Sequence, residues 1–149
     1  MGYRSEVAIG IRMQPDTTSG QDYLDKKNLW NTFVAECKAR HPLAFDNKDL
    51  CFTIFNDKRM MGFTQYELKW YNTHPDVQAF MGVIDIAKDY NEQHKEVIFD
   101  TAYVRVGEES DDVEVDYEGE GWDMFQPYSG IGGELYDEIY LRNKKEEMK

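Results

Sequence analysis

Hydrophobic and polar residues change rhythm several times along this chain, and each rhythm predicts an element. Val7, Ile9, Ile11 and Met13 alternate with Ala8, Gly10 and Arg12, a period of two that predicts a strand. Pro15-Asp16-Thr17-Thr18-Ser19-Gly20 is loop chemistry. Asp22 then suits a helix N-cap, and Trp30, Phe33, Val34 and Cys37 share one helical face up to about Ala39. His41-Pro42 ends that helix, because the residue before proline avoids helical backbone angles. Leu50 to Phe55 is a short apolar run whose length and Phe, Thr and Ile content favour a strand. A hairpin turn over Asn56–Arg59 leads to a half-buried strand, Met61 to Tyr71. In it Thr64, Tyr66, Leu68 and Trp70 share one face, with Gln65, Glu67 and Lys69 on the other.

Thr73, Pro75 and Asp76 together mark a helix start. Val77, Phe80, Met81, Ile84, Ala87 and Tyr90 follow at steps of three or four, and Asn91 to Lys95 reads as a polar exit. Val97 to Val106 is a long strand with Ile98, Ala102, Val104 and Val106 on one side. Gly107 to Asp112 is a turn. Val113, Val115 and Tyr117 then alternate with Glu114, Asp116 and Glu118 in a last strand closed by Gly119 and Gly121. Trp122 to Gly133 is irregular, and Glu134 to about Lys145 predicts a terminal helix with Leu135 and Ile139 four apart. This order predicts a single α+β domain over residues 1–149, mainly an antiparallel sheet with the two main helices on one face. It is a ferredoxin-like pattern with an added acidic hairpin strand.

Composition supports a packed core: hydrophobic residues make up 41% and aromatics 14%, whereas disordered acidic chains are poor in aromatics. Cys37 and Cys51 read as small buried hydrophobes, and a reducing cytoplasm fits them. No signal peptide is expected, Glu6 breaks a myristoylation pattern, and no apolar stretch approaches membrane-spanning length.

Charge changes the picture. From Val106 to Leu141 there is no lysine or arginine, while 12 of the 29 acids of the chain fall there. The acids outside that window number 17, the same as the bases, so the whole net charge of -12 is regional. On the last strand Glu114, Asp116 and Glu118, extended by Glu120, would line one face about 6.6 Å apart. Glu108, Glu109, Asp111, Asp112, Trp122 and Asp123 stand beside them, with Tyr117, Phe125 and Tyr128 as nearby aromatics. Such a strip attracts a basic protein surface over long range, and a sharper version of that reading is mimicry of a nucleic acid backbone. The plainer reading is protection of a sheet edge against pairing with another chain.

Other chemistries find little support. An EF-hand loop started at Asp112 gains Glu114 and Asp116 but has Tyr117 where glycine is required, so no metal or cofactor is expected. His41, His74 and His94 all read as solvent-facing, and no nucleophile-elbow, zincin, Cys-x-x-Cys or phosphate-loop motif occurs. The stretch Tyr103-Val104-Arg105-Val106-Gly107 lacks the aromatic pattern of RNA-recognition strands, and the charge opposes direct nucleic acid binding.

The opening Met1-Gly2-Tyr3-Arg4-Ser5-Glu6-Val7 and the later run from Val104 to Asp112 resemble small uncharacterised proteins of tailed bacteriophages. The resemblance implies a protein made in an infected bacterial cell that binds host machinery, including nucleic-acid-binding or defence proteins. It carries no catalytic residues. The reading favoured here is a non-enzymatic protein that binds a basic partner through the strip from Glu108 to Asp123. The rivals are a small enzyme or ligand-binding domain with a cleft built from distant residues, and a self-assembling structural protein.

Overall fold

The alternation of Val7 to Met13 becomes β1 (Ser5–Met13), the middle strand of a five-stranded sheet in this computed structural model, which describes residues 3–14, 20–47, 50–95, 97–109, 111–127 and 131–147. The elements that follow are α1 (Gly20–Arg40), a 3-10 turn (Pro42–Ala44), β2 (Thr53–Phe55), β3 (Met60–Leu68), α2 (Pro75–His94), β4 (Phe99–Gly107) and β5 (Val113–Glu118). A second 3-10 turn (Gly121–Asp123), the two-residue strands β6 (Gln126–Pro127) and β7 (Ile131–Gly132), and α3 (Glu134–Glu147) complete the chain. The large sheet has the order β2-β3-β1-β4-β5, and every pairing in it is antiparallel. The chain is therefore α+β. None of its described helices is long and apolar enough to cross a membrane.

Successive residues of β1 point to opposite faces, and both faces are packed. Val7, Ile9, Ile11 and Met13 join a buried cluster with Trp30, Phe33 and Cys37 of α1 and with Val77, Phe80, Val83, Ile84 and Ala87 of α2. Ala8 joins a second cluster with Ala102, Val104, Met124, Phe125, Leu135 and Ile139. α3, which the periodicity predicts without giving it a place, thus closes the second face. Glycine makes that approach possible: a Cβ on Gly62 would lie 2.6 Å from Leu135 Cδ2 and 2.9 Å from Ile139 Cδ1.

Several expectations need correction. β2 begins at Thr53, because the Phe52 amide donates to the Ala44 carbonyl (2.9 Å) and holds residues before the strand on the 3-10 turn. Cys51 accordingly precedes the strand and is half-buried. β3 starts buried on both faces, with Met60, Met61 and Phe63 in the two clusters. It then bulges. Ser5 pairs with Leu68 and Val7 with Gln65, so two residues, Tyr66 and Glu67, stand opposite Glu6, and Glu67 adopts φ 56°. The bulge splits the predicted common face: Tyr66 meets Tyr136 of α3, while Leu68 and Trp70 pack into the α1–α2 cluster.

α1 begins at Gly20, so Asp22 stands inside the helix rather than capping it. The N-cap of α2 is His74 rather than Thr73, and the Asp76 carboxylate accepts the Val77 amide. The predicted polar exit is the last turn of α2: Asn91 is buried there, and Lys95 ends the helix in the left-handed conformation. Ile98 lies just before β4, in the α1–α2 cluster rather than beside Ala102 and Val104. The loop expected over 15–19 and the aromatic at Tyr128 fall outside the described residues.

Candidate functional site

The acidic strip lies along the β4–β5 hairpin and the turn after it. Gly107 opens the connection, where a Cβ would run into the Asp112 carboxylate and the Tyr3 hydroxyl. Its amide donates to the Asp112 carbonyl (2.8 Å), and the Asp112 amide donates to the Glu109 carbonyl (3.0 Å). Arg105, mostly buried on β4, grips Asp112 with two nitrogens, Nη2 to Oδ1 (2.6 Å) and Nη1 to Oδ2 (3.1 Å). That forked geometry suits a guanidinium and a carboxylate. The Tyr3 hydroxyl donates to Asp112 Oδ2 (2.6 Å) and accepts the Glu109 amide (3.1 Å). Arg105, then Tyr3, hold the Asp112 carboxyl below its ordinary range. In return the Asp112 bond raises the Tyr3 hydroxyl. Glu108 accepts the Arg4 amide at 2.9 Å.

Among the described residues β5 is the edge of the sheet and pairs only with β4, in unbroken register from Val106↔Val113 to Thr101↔Glu118. That register puts Glu114, Asp116 and Glu118 opposite Arg105, Tyr103 and Thr101, on the side facing α2. The row is not bare. Glu114 Oε1 takes the Arg105 Nε–H, Asp116 Oδ2 takes the Lys88 ammonium (2.6 Å), and Glu118 Oε1 takes the Asn91 amide (2.8 Å). Each carboxylate thus has one oxygen engaged at home. Glu114 and Asp116 remain 57% and 52% exposed. Arg105 and Lys88 thus offset the mutual repulsion of the row. Val113 and Val115 point to the other side and are themselves 41% and 48% exposed.

Past β5 the chain is pinned by a buried ion pair. Asp100 has its carboxylate fully enclosed; Oδ2 accepts Arg12 Nη2 (2.9 Å) and Nε (3.2 Å), and Oδ1 accepts Gln14 Nε2 and the Glu120 amide (both 3.0 Å). Gly119 takes φ 66°, and a Cβ there would strike Asp100 Oδ1. Arg12 also donates to the Glu120 carbonyl (3.3 Å) and lies 3.8 Å from Asp123. Trp122 is half exposed beside them, while Met124 and Phe125 turn into the second core cluster and Tyr117 donates to the Phe125 carbonyl (3.0 Å). The predicted residues therefore lie on β5 and its two flanking turns but not on one face: Glu114, Asp116 and Glu118 are on the α2 side, whereas Asp123 stands by Arg12, on the side of Ala8 and Ala102. Glu109, Asp111 and Glu120 are exposed and make no ion pair among the described residues, whereas Asp112, Glu114, Asp116 and Asp123 do.

No three His, Cys, Asp or Glu side chains converge on a metal-sized site among the described residues. The histidines correct the sequence reading in part. His41 is half-buried against Gly82, where burial and then Arg40 lower its pKa while Asp85 opposes them. His74 sets its ring edge-on to Tyr71, and His94 is exposed in the last turn of α2 with Nδ1 2.8 Å from the Tyr90 carbonyl. A hollow of about 570 Å³ is lined by Arg4, Glu6, Tyr66, Val106 and Glu108, and another of about 430 Å³ by Trp70, Tyr71, Tyr103, Arg105 and Glu114. Neither contains a histidine. A third, about 300 Å³, has His41 beside Arg40 and no carboxylate in its lining.

The chain matches no protein-family model, no curated protein and no solved structure.

Three residues central to this geometry are missed by sequence reasoning: Asn91, Asp100 and Arg105. Each had a signal. Asn91 continues the stripe of Phe80, Ile84 and Ala87, and Asp100 interrupts the predicted row of Ile98, Ala102, Val104 and Val106. Arg105 is the last cation before the acidic window.

Proposed function

We propose that this chain is a binding protein, not an enzyme, and that it engages a basic protein surface through the strip from Glu108 to Asp123. One observation carries the reading: nine of the 12 acids in the cation-free window stand on the edge strand β5 and its two flanking turns, the other three being on α3. Fixed acids of one sign raise the encounter rate with a basic partner and disfavour acidic ones. The resemblance to phage proteins directs the first search to bacterial nucleic-acid-binding and defence proteins. The strand order β2-β3-β1-β4, with β5 added, is read as ferredoxin-like.

The internal partners of the row decide how to test this. Reversing Glu114 or Glu118 to lysine would break contacts with Arg105 or Asn91 and confound binding with folding. The informative variant reverses the exposed acids: Glu109→Lys, Asp111→Lys and Glu120→Lys together. Captured partner should fall about tenfold or more at low salt, with an unchanged urea midpoint, because surface changes of this kind usually alter stability by less than about 0.5 kcal/mol. Equal capture by the variant would refute the assignment of the strip.

A further inference from the structure

Resting on the proposed reading, we infer that β5 binds its partner by strand addition, and that the occupant is an extended segment with Lys or Arg at alternate positions and Val, Ile or Tyr between them. The two ends of the sheet differ. At one end β2 has only three residues, and Arg142 of α3 donates to its Ile54 carbonyl (3.0 Å) while the guanidinium sits 4.0 Å over the Phe55 ring. That end is short and covered. At the other end β5 has six residues, about 20 Å of strand, with no proline, no bulge in its pairing and no further strand beside it among the described residues. Sheet edges are usually blunted by shortness, proline, bulges, a covering element or charged side chains. Among the described residues β5 has only the last, Glu114, Asp116 and Glu118, and these oppose an acidic strand while favouring a basic one.

The side chains choose the occupant. An added strand would set alternate residues beside Glu114 and Asp116 on one side and beside Val113 and Val115 on the other. Opposite charges across a strand pair stabilise it and like charges oppose it, so a second copy of this acidic β5 is disfavoured and a basic strand is welcomed. The exposed valines ask for apolar neighbours on the other side. Main-chain hydrogen bonds would supply affinity, and the alternation would supply specificity.

Three labelled peptides of equal charge test this against the full chain at low salt. One alternates lysine and valine over seven residues, one has the same residues in two blocks, and one alternates but has proline at two of the valine positions. The alternating peptide should bind at least about tenfold more tightly than either of the others. On binding, backbone amides within 113–118 should exchange more slowly with solvent. Equal affinity of all three would overturn strand addition and leave the charge reading standing. No binding of any peptide would overturn both. A dimer of the free protein that the alternating peptide dissociates would overturn the choice of occupant in favour of a second copy.

Discussion

Asn91 offers the most demanding test of how β5 is held. It is buried in the last turn of α2, and its amide uses its full bonding capacity. Oδ1 accepts the Ile98 and Phe99 amides, both at 2.8 Å, and Nδ2 donates to the Phe99 carbonyl (2.9 Å) and Glu118 Oε1 (2.8 Å). One side chain thus ties α2 to the start of β4 and the end of β5. Asn91→Ala would strand two buried amide donors and weaken one carbonyl. Each unsatisfied buried group costs about 1–3 kcal/mol, and water entering at the strand start offsets part of it, so the expected loss is about 3–5 kcal/mol. A chain of this size has about 5–15 kcal/mol in all. Urea unfolding followed by circular dichroism should show a large fall in midpoint at unchanged slope, and the melting temperature should drop by about 10 °C or more. Glu92→Ala, one exposed position further on, should lie within about 0.5 kcal/mol of the parent chain. An Asn91→Ala loss below about 1 kcal/mol would mean that these four bonds do not organise the hairpin.

Removing the buried Asp100 carboxylate takes away the group that Arg12 grips with Nη2 and Nε and the acceptor of Gln14 and the Glu120 amide, so Asp100→Ala should cost about 3–5 kcal/mol by the same urea measurement; a change under about 1 kcal/mol would refute the pairing. Because Arg105 and Tyr3 lower the Asp112 pKa, the stabilisation is complete above the unfolded carboxyl value near ~3.9 and is lost as pH falls through the folded value. The stability gap between the parent and Asp112→Asn should therefore be flat above about pH 5 and narrow in acid; a gap that widened in acid would contradict this. Burial pushes the Cys37 thiol up to about 12, with Glu36 adding and Arg40 opposing, so alkylation of the native protein near pH 8 should mark Cys51 first and spare Cys37. Equal labelling in the folded state would show that the α1 face opens.

What the sequence reveals depends on whether the determining contacts are local. β1, α2 and β5 were readable because their side chains repeat at the period of their own backbone; burial follows the repeat in α2, whereas β1 is packed on both faces and most of β5 is exposed on both. The bulge at Glu67 was not, since a non-glycine residue at φ 56° leaves no mark in an alternating string, and the face of every later residue depends on it. Buried polar anchors escape for a related reason. Asp100 and Arg12 are 88 residues apart in the chain but directly paired across β4 and β1, and only that pairing turns two odd residues into one ion pair. The bounds of β5 were legible to the residue. Its internal counter-charges were not, because Lys88 and Arg105 come from α2 and β4.

Those counter-charges divide the strip into two kinds of acid with different physical effects. Glu109, Asp111 and Glu120 are exposed on turns and act through the field they project, which solution ions damp within about 8–10 Å at moderate salt. They suit steering. Glu114, Asp116 and Glu118 each have one oxygen fixed by Arg105, Lys88 or Asn91, so their rotamers are set before any partner arrives. Ordering a free side chain at an interface costs about 0.5–1.5 kcal/mol, and a carboxylate already held avoids most of that cost. The same bonds that reduce the bare charge of the row therefore improve it as a contact surface. Counting acids alone would rank the turns above the strand; counting ordered oxygens at a regular strand spacing reverses that order, and places the centre of the proposed interface on β5.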